Sequence, residues 1–272
     1  MLIRTGYDIR FDADTPVPML ALLSIHPSRH RDLRTTHRIV ASPDVPLYDY
    51  IDSFGNVVTR FTVPAGGLDL SCDVVIEDSG LPDPVLPGAR QDAIEDLPED
   101  VLVYLLASRY CETDRLLEVA WGHFGHLAKG WSLVQAIVDF THDHIEFGYP
   151  HARPTRTAWD AYQERKGVCR DFAHLAVTLC RCMNVPARYC TGYLGDIGIA
   201  PIDAAMDFSA WFEVWLEGAW HTFDARHNRP RIGRIVMARG RDAADTALTT
   251  GFGPAILTRF DVHTDEVADL AA

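Results

Sequence analysis

A helical pattern that begins at a cysteine constrains this chain more than any other stretch of its sequence. The apolar residues after Cys169 recur every three or four positions, at Phe172, Leu175, Ala176, Leu179 and Met183. This spacing predicts an amphipathic helix that packs one face on a core. Cys169 would then lie in the first turn, among unpaired N–H groups at the positive end of the helix dipole. Such a position favours the nucleophilic thiolate, although most single cysteines are small buried apolar residues.

The residue pattern of the first eighty positions predicts strands. Residues 3–11 alternate between apolar and polar side chains, which is typical of a strand with one buried face. Further strand candidates are residues 19–25, 35–41, 47–51, 57–63 and 68–76. Many short strands with no helix between them indicate an antiparallel β-sandwich.

The remainder of the chain predicts helices followed by a second sheet. Helical spacing covers residues 99–110, 113–124, 132–143 and 157–164, and Ser132 with Gln135 suggests a capping box at the third of these helices. After the Cys169 helix, strands are predicted at residues 187–194, 209–216, 220–224, 232–238 and 256–262. The predicted fold class is therefore α+β, with the Cys169 helix packed on an antiparallel sheet.

A connector rich in proline, glycine and aspartate separates the two halves. We therefore predict a β-rich N-terminal domain over residues 1–80, a linker over 81–96 and a catalytic-type domain over 97–272. The length of 272 residues is compatible with two domains.

Composition limits the partners. The net charge of −13 disfavours nonspecific binding to nucleic acid and to anionic membranes. The N-terminus has no apolar signal region and no apolar run reaches membrane length, so the expected location is the cytoplasm.

The six cysteines are expected as free thiols. A metal site at Cys180, Cys182, Cys190 and His174 is disfavoured, because the spacing does not match known zinc sites.

A cysteine nucleophile needs a base, commonly histidine, and a group that orients the base. Asp224, at the end of a predicted strand, is the candidate orienting group. Arg226 follows closely and could form an ion pair with it. The strand that begins near Ser209 would lie beside the strand that ends at Asp224.

Three stretches in this order resemble the transglutaminase-like superfamily: residues 167–173, 210–214 and 220–228. The resemblance, to bacterial members with an N-terminal β-domain, implies a papain-like core with a cysteine at a helix N-terminus and with histidine and aspartate on adjacent strands. It also implies acyl transfer or hydrolysis at glutamine side chains or peptide bonds, a peptide or protein substrate, and no cofactor or metal.

Carried over onto this chain, Cys169 matches the nucleophile and Asp224 the third member of the triad. The family's histidine precedes an Ala-Trp pair, and here that position is Ser209. The serine is an engineered change, a natural loss that leaves a binding module, or a sign that Cys169 works with the helix dipole alone. In each case we expect this chain to be a very slow enzyme at best.

Several other histidines are candidates for the base. Strand alternation turns His221 away from Asp224, and His174 lies off the face of the helix that carries Cys169. His227 is a local candidate in a loop, and His142, His144 and His151 remain open on sequence alone. The alternative function is a non-catalytic peptide-binding or scaffold protein. A calcium-regulated cross-linking enzyme is disfavoured, because no calcium-loop pattern is present.

Overall fold

The alternating N-terminal residues form β1 (Leu2–Asp12), which lies inside an antiparallel sheet. The structure is a computed structural model that describes residues 1–200 and 206–268. The strand order of this sheet is β14 (Ile256–Val267), β1, β6 (Leu68–Glu77) and β3 (Val40–Ser42). A second antiparallel sheet has the order β13 (Thr249–Gly251), β2 (Val17–Ala21), β5 (Val57–Val63) and β4 (Tyr48–Ile51). Buried residues of both sheets, including Ile9 and Phe61, share one apolar core.

The end of the chain completes these N-terminal sheets. β14 pairs with β1 along its length, from Leu2 opposite Val267 to Asp12 opposite Ile256, and β13 pairs with β2. The sequence division places these strands in the second domain, but their hydrogen bonds join them to the first. A domain boundary at residues 81–96 remains a prediction, because strand pairing does not establish whether either half folds alone.

Five α-helices within the described ranges form a layer over a third sheet. They are α1 (Glu99–Leu102), α2 (Thr113–Phe124), α3 (Trp131–His144), α4 (Ala158–Glu164) and α5 (Cys169–Cys182). Helix α5 contacts α2, α3 and α4 on one side and the sheet on the other. Every residue from Asp171 to Cys182 is buried as a consequence.

The third sheet carries the second half of the predicted site. Its strand order is β11 (Ala219–Phe223), β10 (Ser209–Leu216), β9 (Ala187–Tyr193) and β12 (Ile235–Gly240). Positive φ angles at Glu217 and Gly218 form the predicted tight turn between β10 and β11. A short parallel pair, β7 (Glu146–Phe147) and β8 (Lys166–Gly167), leads into α5.

The two faces of β10 contact different parts of the protein. Phe212 and Val214 pack into the core that α5 shares with α2 and α3. Alternation places Ser209, Trp211 and Glu213 on the opposite face, where Glu213 pairs with arginines of β9 and β12. The helix and the strand that carry the predicted site therefore meet at the start of β10. The predicted α+β class is confirmed.

Local predictions failed at two helices. The capping box at Ser132 and Gln135 is wrong, because α3 begins one residue earlier, after Gly130. The Ser132 hydroxyl donates to the carbonyl of Ala128, and Gln135 donates to Asp139. The helix predicted over 99–110 ends at Leu102 and continues as a short 3₁₀ turn. In the part of the chain that the structure describes, no helix is long and apolar enough to cross a membrane.

Candidate active site

The turn before α5 is fixed by a carboxylate. Asp171 Oδ2 accepts a hydrogen bond from the backbone N–H of Val168 at 2.9 Å and another from Arg156 Nη1 at 3.1 Å. A Cβ at Gly167 would come within 2.6 Å of the Asp171 side chain. Glycine is therefore needed at position 167 for steric reasons. Together these contacts set the position at which Cys169 enters the helix.

Cys169 is the first residue of α5. It is partly exposed as a residue and packs beside Ala173, Tyr189 and Ala210. Burial raises the pKa of its thiol, while the charge of Arg226 and the backbone N–H groups of Ala210 and Arg170 act to lower it. The balance is a raised pKa. The expectation that the helix start alone lowers this pKa is therefore wrong, because desolvation outweighs the favourable dipoles.

Ser209 begins β10 and directly precedes Ala210, whose N–H acts on the thiol. The Ser209 side chain is buried, and its carbonyl accepts a hydrogen bond from Thr191 Oγ1 at 3.2 Å. Cys169 and the start of β10 are thus adjacent. Within residues 1–200 and 206–268, no hydrogen bond joins Ser209 to Asp224.

Asp224 lies just after β11, with its carboxylate buried. Its Oδ1 accepts from the backbone N–H of His227 at 3.0 Å, and its Oδ2 accepts from His227 Nδ1 and from Arg234 Nη2, each at 2.8 Å. Burial alone would raise the pKa of Asp224, but the charge of Arg234 and the bonds from His227 hold it well below its usual range. The carboxylate is therefore ionised.

Arg234 is a residue of the site that sequence reasoning missed. Its Nε binds Asp83 of the connector at 2.8 Å while its Nη2 binds Asp224, and its guanidinium lies over the ring of Trp211. The predicted ion pair between Arg226 and Asp224 is wrong. Arg226 instead stacks on Phe147 at 3.9 Å and directs its charge toward Cys169. No sequence signal marks Arg234, because a loop brings it to Asp224 from ten residues away.

The remaining histidines have other partners. His174 is buried between the rings of Tyr110 and Tyr189, and its Nε2 accepts from the N–H of Ala243 at 3.1 Å. His221 faces the helical core, where it packs edge-on against Trp131. The rings of the two histidines near the end of α3 bond to carbonyls, His142 to that of Ala225 and His144 to that of Tyr162.

His151 contributes its carbonyl to Arg156. Among the described histidines, His227 is the one whose ring bonds to Asp224. The sequence named it as a local candidate, and the structure adds the hydrogen bond that connects it to the site.

No group of three or more histidine, cysteine or acidic side chains suited to a metal ion occurs in the described residues. All six cysteines of the chain fall within those ranges, and each is a free thiol. Cys180 and Cys190 are buried, and desolvation strongly raises the pKa of each. Cys169 therefore differs from these two in retaining some exposure.

Comparison with known proteins shows which family the core resembles. Residues 126–225 match the sequence profile of the transglutaminase-like superfamily. An uncharacterized protein of Mycobacterium leprae is 25% identical over 232 residues, which cover 82% of each chain. An uncharacterized protein of Mycobacterium tuberculosis is 37% identical over 93 residues, 30% of this chain and 29% of that one.

A solved structure has the same fold over nearly the whole chain. The crystal structure of a proposed cysteine protease from Cytophaga hutchinsonii is 28% identical, with a TM-score of 0.84, and the match covers 97% of this chain and 90% of that one. The resemblance to the transglutaminase-like superfamily is confirmed. The coverage includes the N-terminal sheets as well as the core.

Proposed function

Because residues 126–225 are a transglutaminase-like core, we propose that this protein cleaves amide or peptide bonds through a thioester on Cys169. The observation that supports this most is the position of Cys169. It is the first residue of a buried helix, it keeps partial exposure as a residue, and backbone N–H groups of Arg170 and Ala210 act on the sulfur.

The proposed reaction has two steps. The Cys169 thiolate attacks the amide carbon, the S–C bond forms, and the negative oxygen accepts a hydrogen bond from the Cys169 N–H. The C–N bond then breaks, and the amine leaves with a proton. Water attacks the thioester, which releases the acid and returns the thiol. No step needs a metal or a cofactor.

Ser209 makes this chemistry slow. A hydroxyl does not accept a proton at neutral pH as an imidazole does, and general-base assistance is worth roughly 10²–10⁴ in rate. The raised pKa of Cys169 agrees with a thiol that is protonated at rest. We therefore propose an enzyme whose reactivity is lower than that of a family member with histidine at position 209.

The proposed substrate is a peptide or protein, and hydrolysis is favoured over cross-linking. The description of the Cytophaga hutchinsonii protein as a proposed cysteine protease supports this choice. The acidic net charge disfavours nucleic acid as a partner. A cytoplasmic location remains part of the proposal and agrees with six free thiols.

The test compares the wild type with Ser209→His and Cys169→Ala. Alkylation of Cys169 by iodoacetamide at pH 7 is followed by peptide mapping, and hydrolysis is followed with a quenched fluorescent peptide library. Ser209→His is expected to raise the alkylation rate at least tenfold and to raise hydrolysis with it, while Cys169→Ala abolishes hydrolysis. An unchanged alkylation rate in Ser209→His would refute position 209 as a base site.

A non-catalytic peptide-binding protein is the second candidate. The raised thiol pKa and the missing histidine at position 209 favour it. This function predicts that Cys169→Ala binds peptides as tightly as the wild type, and that Ser209→His gains no hydrolysis. Peptide-array binding of both variants distinguishes the two candidates.

A further inference from the structure

The hydrogen bonds of Asp224 involve a histidine that the family pattern does not use. We propose that His227 is the proton acceptor for Cys169 and takes the role of the histidine that Ser209 replaces. This inference rests on the proposed function, because it assigns the base of the same reaction. It identifies His227, held by Asp224, as a catalytic residue of this chain.

Asp224 fixes both the orientation and the tautomer of His227. Its Oδ1 accepts the backbone N–H of His227 at 3.0 Å, and its Oδ2 lies 2.8 Å from the ring Nδ1. An ionised carboxylate can only accept, so Nδ1 carries the proton of the neutral ring. The lone pair is then on Nε2, as a general base requires.

The ring of His227 is accessible. Its side chain is 13% exposed, against 2% for that of Asp224. No protein group in the described ranges bonds to Nε2. This atom is also not one of the buried polar atoms that lack a partner, so it keeps contact with solvent. This nitrogen is therefore free to take a proton from a thiol or from a bound water.

Strand register brings Asp224 close to the start of β10. Phe212 pairs with Phe223, so Asp224, the next residue, lies just beyond that pair on the side of Trp211. Arg226, the residue before His227, lies close enough to Cys169 for its charge to lower the thiol pKa. Ala210, the residue after Ser209, acts on the same sulfur through its N–H.

Ser209 leaves the Asp224 carboxylate to other partners. Strand alternation places Ser209 on the same face of the sheet as Asp224, and no hydrogen bond joins the two residues in the described ranges. The carboxylate instead binds His227 and Arg234.

The proton balance is complete. The proton of Cys169 Sγ moves to His227 Nε2, directly or through one water, and gives a thiolate and an imidazolium. The thiolate forms the S–C bond. The imidazolium returns its proton to the amide nitrogen as the C–N bond breaks, and neutral His227 then activates the water that hydrolyses the thioester.

Charged groups surround this pair. The Asp224 carboxylate binds both His227 and Arg234, and Arg234 also binds Asp83 of the connector. Arg226 of the turn lowers the pKa of the Cys169 thiol, and Asp207 before β10 raises it.

The test is the pH profile of Cys169 alkylation from pH 5 to 10 in His227→Asn. Asparagine can still donate to Asp224 but cannot accept the thiol proton. The wild type is expected to alkylate at least tenfold faster at pH 7 than His227→Asn, whose rate should follow the free thiol alone across the whole range. His126→Asn, at an exposed histidine on the surface, is the matched control.

An unchanged profile in His227→Asn would overturn the inference. If His227→Asn does not fold, histidine ring NMR of the wild type replaces it. The ring chemical shifts of His227 should then change when Cys169 is carbamidomethylated, and no change would equally overturn the inference. The proposed function is tested separately, because alkylation requires no substrate. It fails if neither the wild type nor Ser209→His hydrolyses an amide.

Discussion

Arg156 and Asp171 form a buried ion pair next to the first turn of α5. Arg156 Nη1 lies 3.1 Å from Asp171 Oδ2, and the side chains are 3% and 0% exposed. The same carboxylate oxygen accepts the Val168 N–H, so the pair anchors the residue that precedes Cys169. Stability and the placement of the thiol are therefore linked at this contact.

Arg156→Met removes one half of this pair and leaves the buried carboxylate with only the longer contact to Arg170, at 3.4 Å. We expect a loss of about 3–5 kcal/mol in the free energy of unfolding, measured by urea denaturation. Arg153→Met is the control, because Arg153 pairs with Asp160 and Glu164 at the surface and should cost at most about 1 kcal/mol. Equal losses in the two variants would contradict the role of burial.

Arg226 should affect the reactivity of Cys169 through charge. Its guanidinium stacks on Phe147 and lowers the pKa of the thiol. Arg226→Gln is expected to raise that pKa and to slow iodoacetamide alkylation at pH 8 by about threefold to tenfold, since each pKa unit is a factor of ten in thiolate. Arg229→Gln, at an exposed neighbour, should have little effect. A similar slowing in both variants would mean that only the overall charge matters.

Buried neutral histidines should make the protein sensitive to mild acid. Burial, with the charges of Arg239 and Arg188, lowers the pKa of His26 to about 4, and burial places the pKa of His174 well below its usual value. Because the unfolded histidine protonates first, stability should be constant above pH 7 and fall as the pH drops from about 6.5 toward 4. His26 alone accounts for about 2 kcal/mol between pH 7 and 5.

His26→Asn tests this assignment, because asparagine can still accept the Ser28 N–H that binds His26 Nδ1. The difference in unfolding free energy between pH 7 and 5 should shrink by about 2 kcal/mol in this variant. His123→Asn, at an exposed ring, should keep the wild-type difference. If His26→Asn keeps it too, His26 is not neutral in the folded protein.

Gly192 allows β9 and β12 to approach each other in the third sheet. A Cβ at this position would come within 2.1 Å of the carbonyl oxygen of Ile235. Gly192→Ala should therefore cost at least about 1–3 kcal/mol, measured by thermal or urea unfolding. Gly122→Ala is the control, because a Cβ there meets no atom within 4 Å and alanine favours the helix.

The C-terminal strand should be required for the N-terminal half to fold. β14 pairs with β1 over eleven positions, and Thr264 bonds to Thr5 in a buried contact. Removal of residues 256–272 exposes one edge of β1, so we expect aggregation and a lost cooperative transition in circular dichroism. Removal of residues 269–272 alone should leave the transition unchanged. A cooperative fold without β14 would support the division at residues 81–96.

Local sequence patterns identified most elements correctly. The alternation of residues 3–11 and the three-to-four spacing after Cys169 each produced the expected element, since both patterns report which side of a single segment is buried. Predictions that depend on one terminal residue, such as the cap at Ser132, failed because tertiary packing sets the helix start: α3 begins at Trp131, which is buried in the core. The strand pairing of β14 could not be predicted, because nothing local specifies a partner as distant as Thr264 is from Thr5, 259 residues along the chain.

The sequence by itself determined the order of motifs and the cysteine at a helix start, and it led to the prediction that Ser209 stands at the position of the family's histidine. Each is a property of neighbouring residues or of a family pattern. Only the tertiary structure decided that desolvation raises the Cys169 pKa, that Arg234 rather than Arg226 binds Asp224, and that the ring of His227 bonds to that carboxylate. Burial and ion pairing depend on groups that loops and sheet register bring together, and no local pattern encodes those distances.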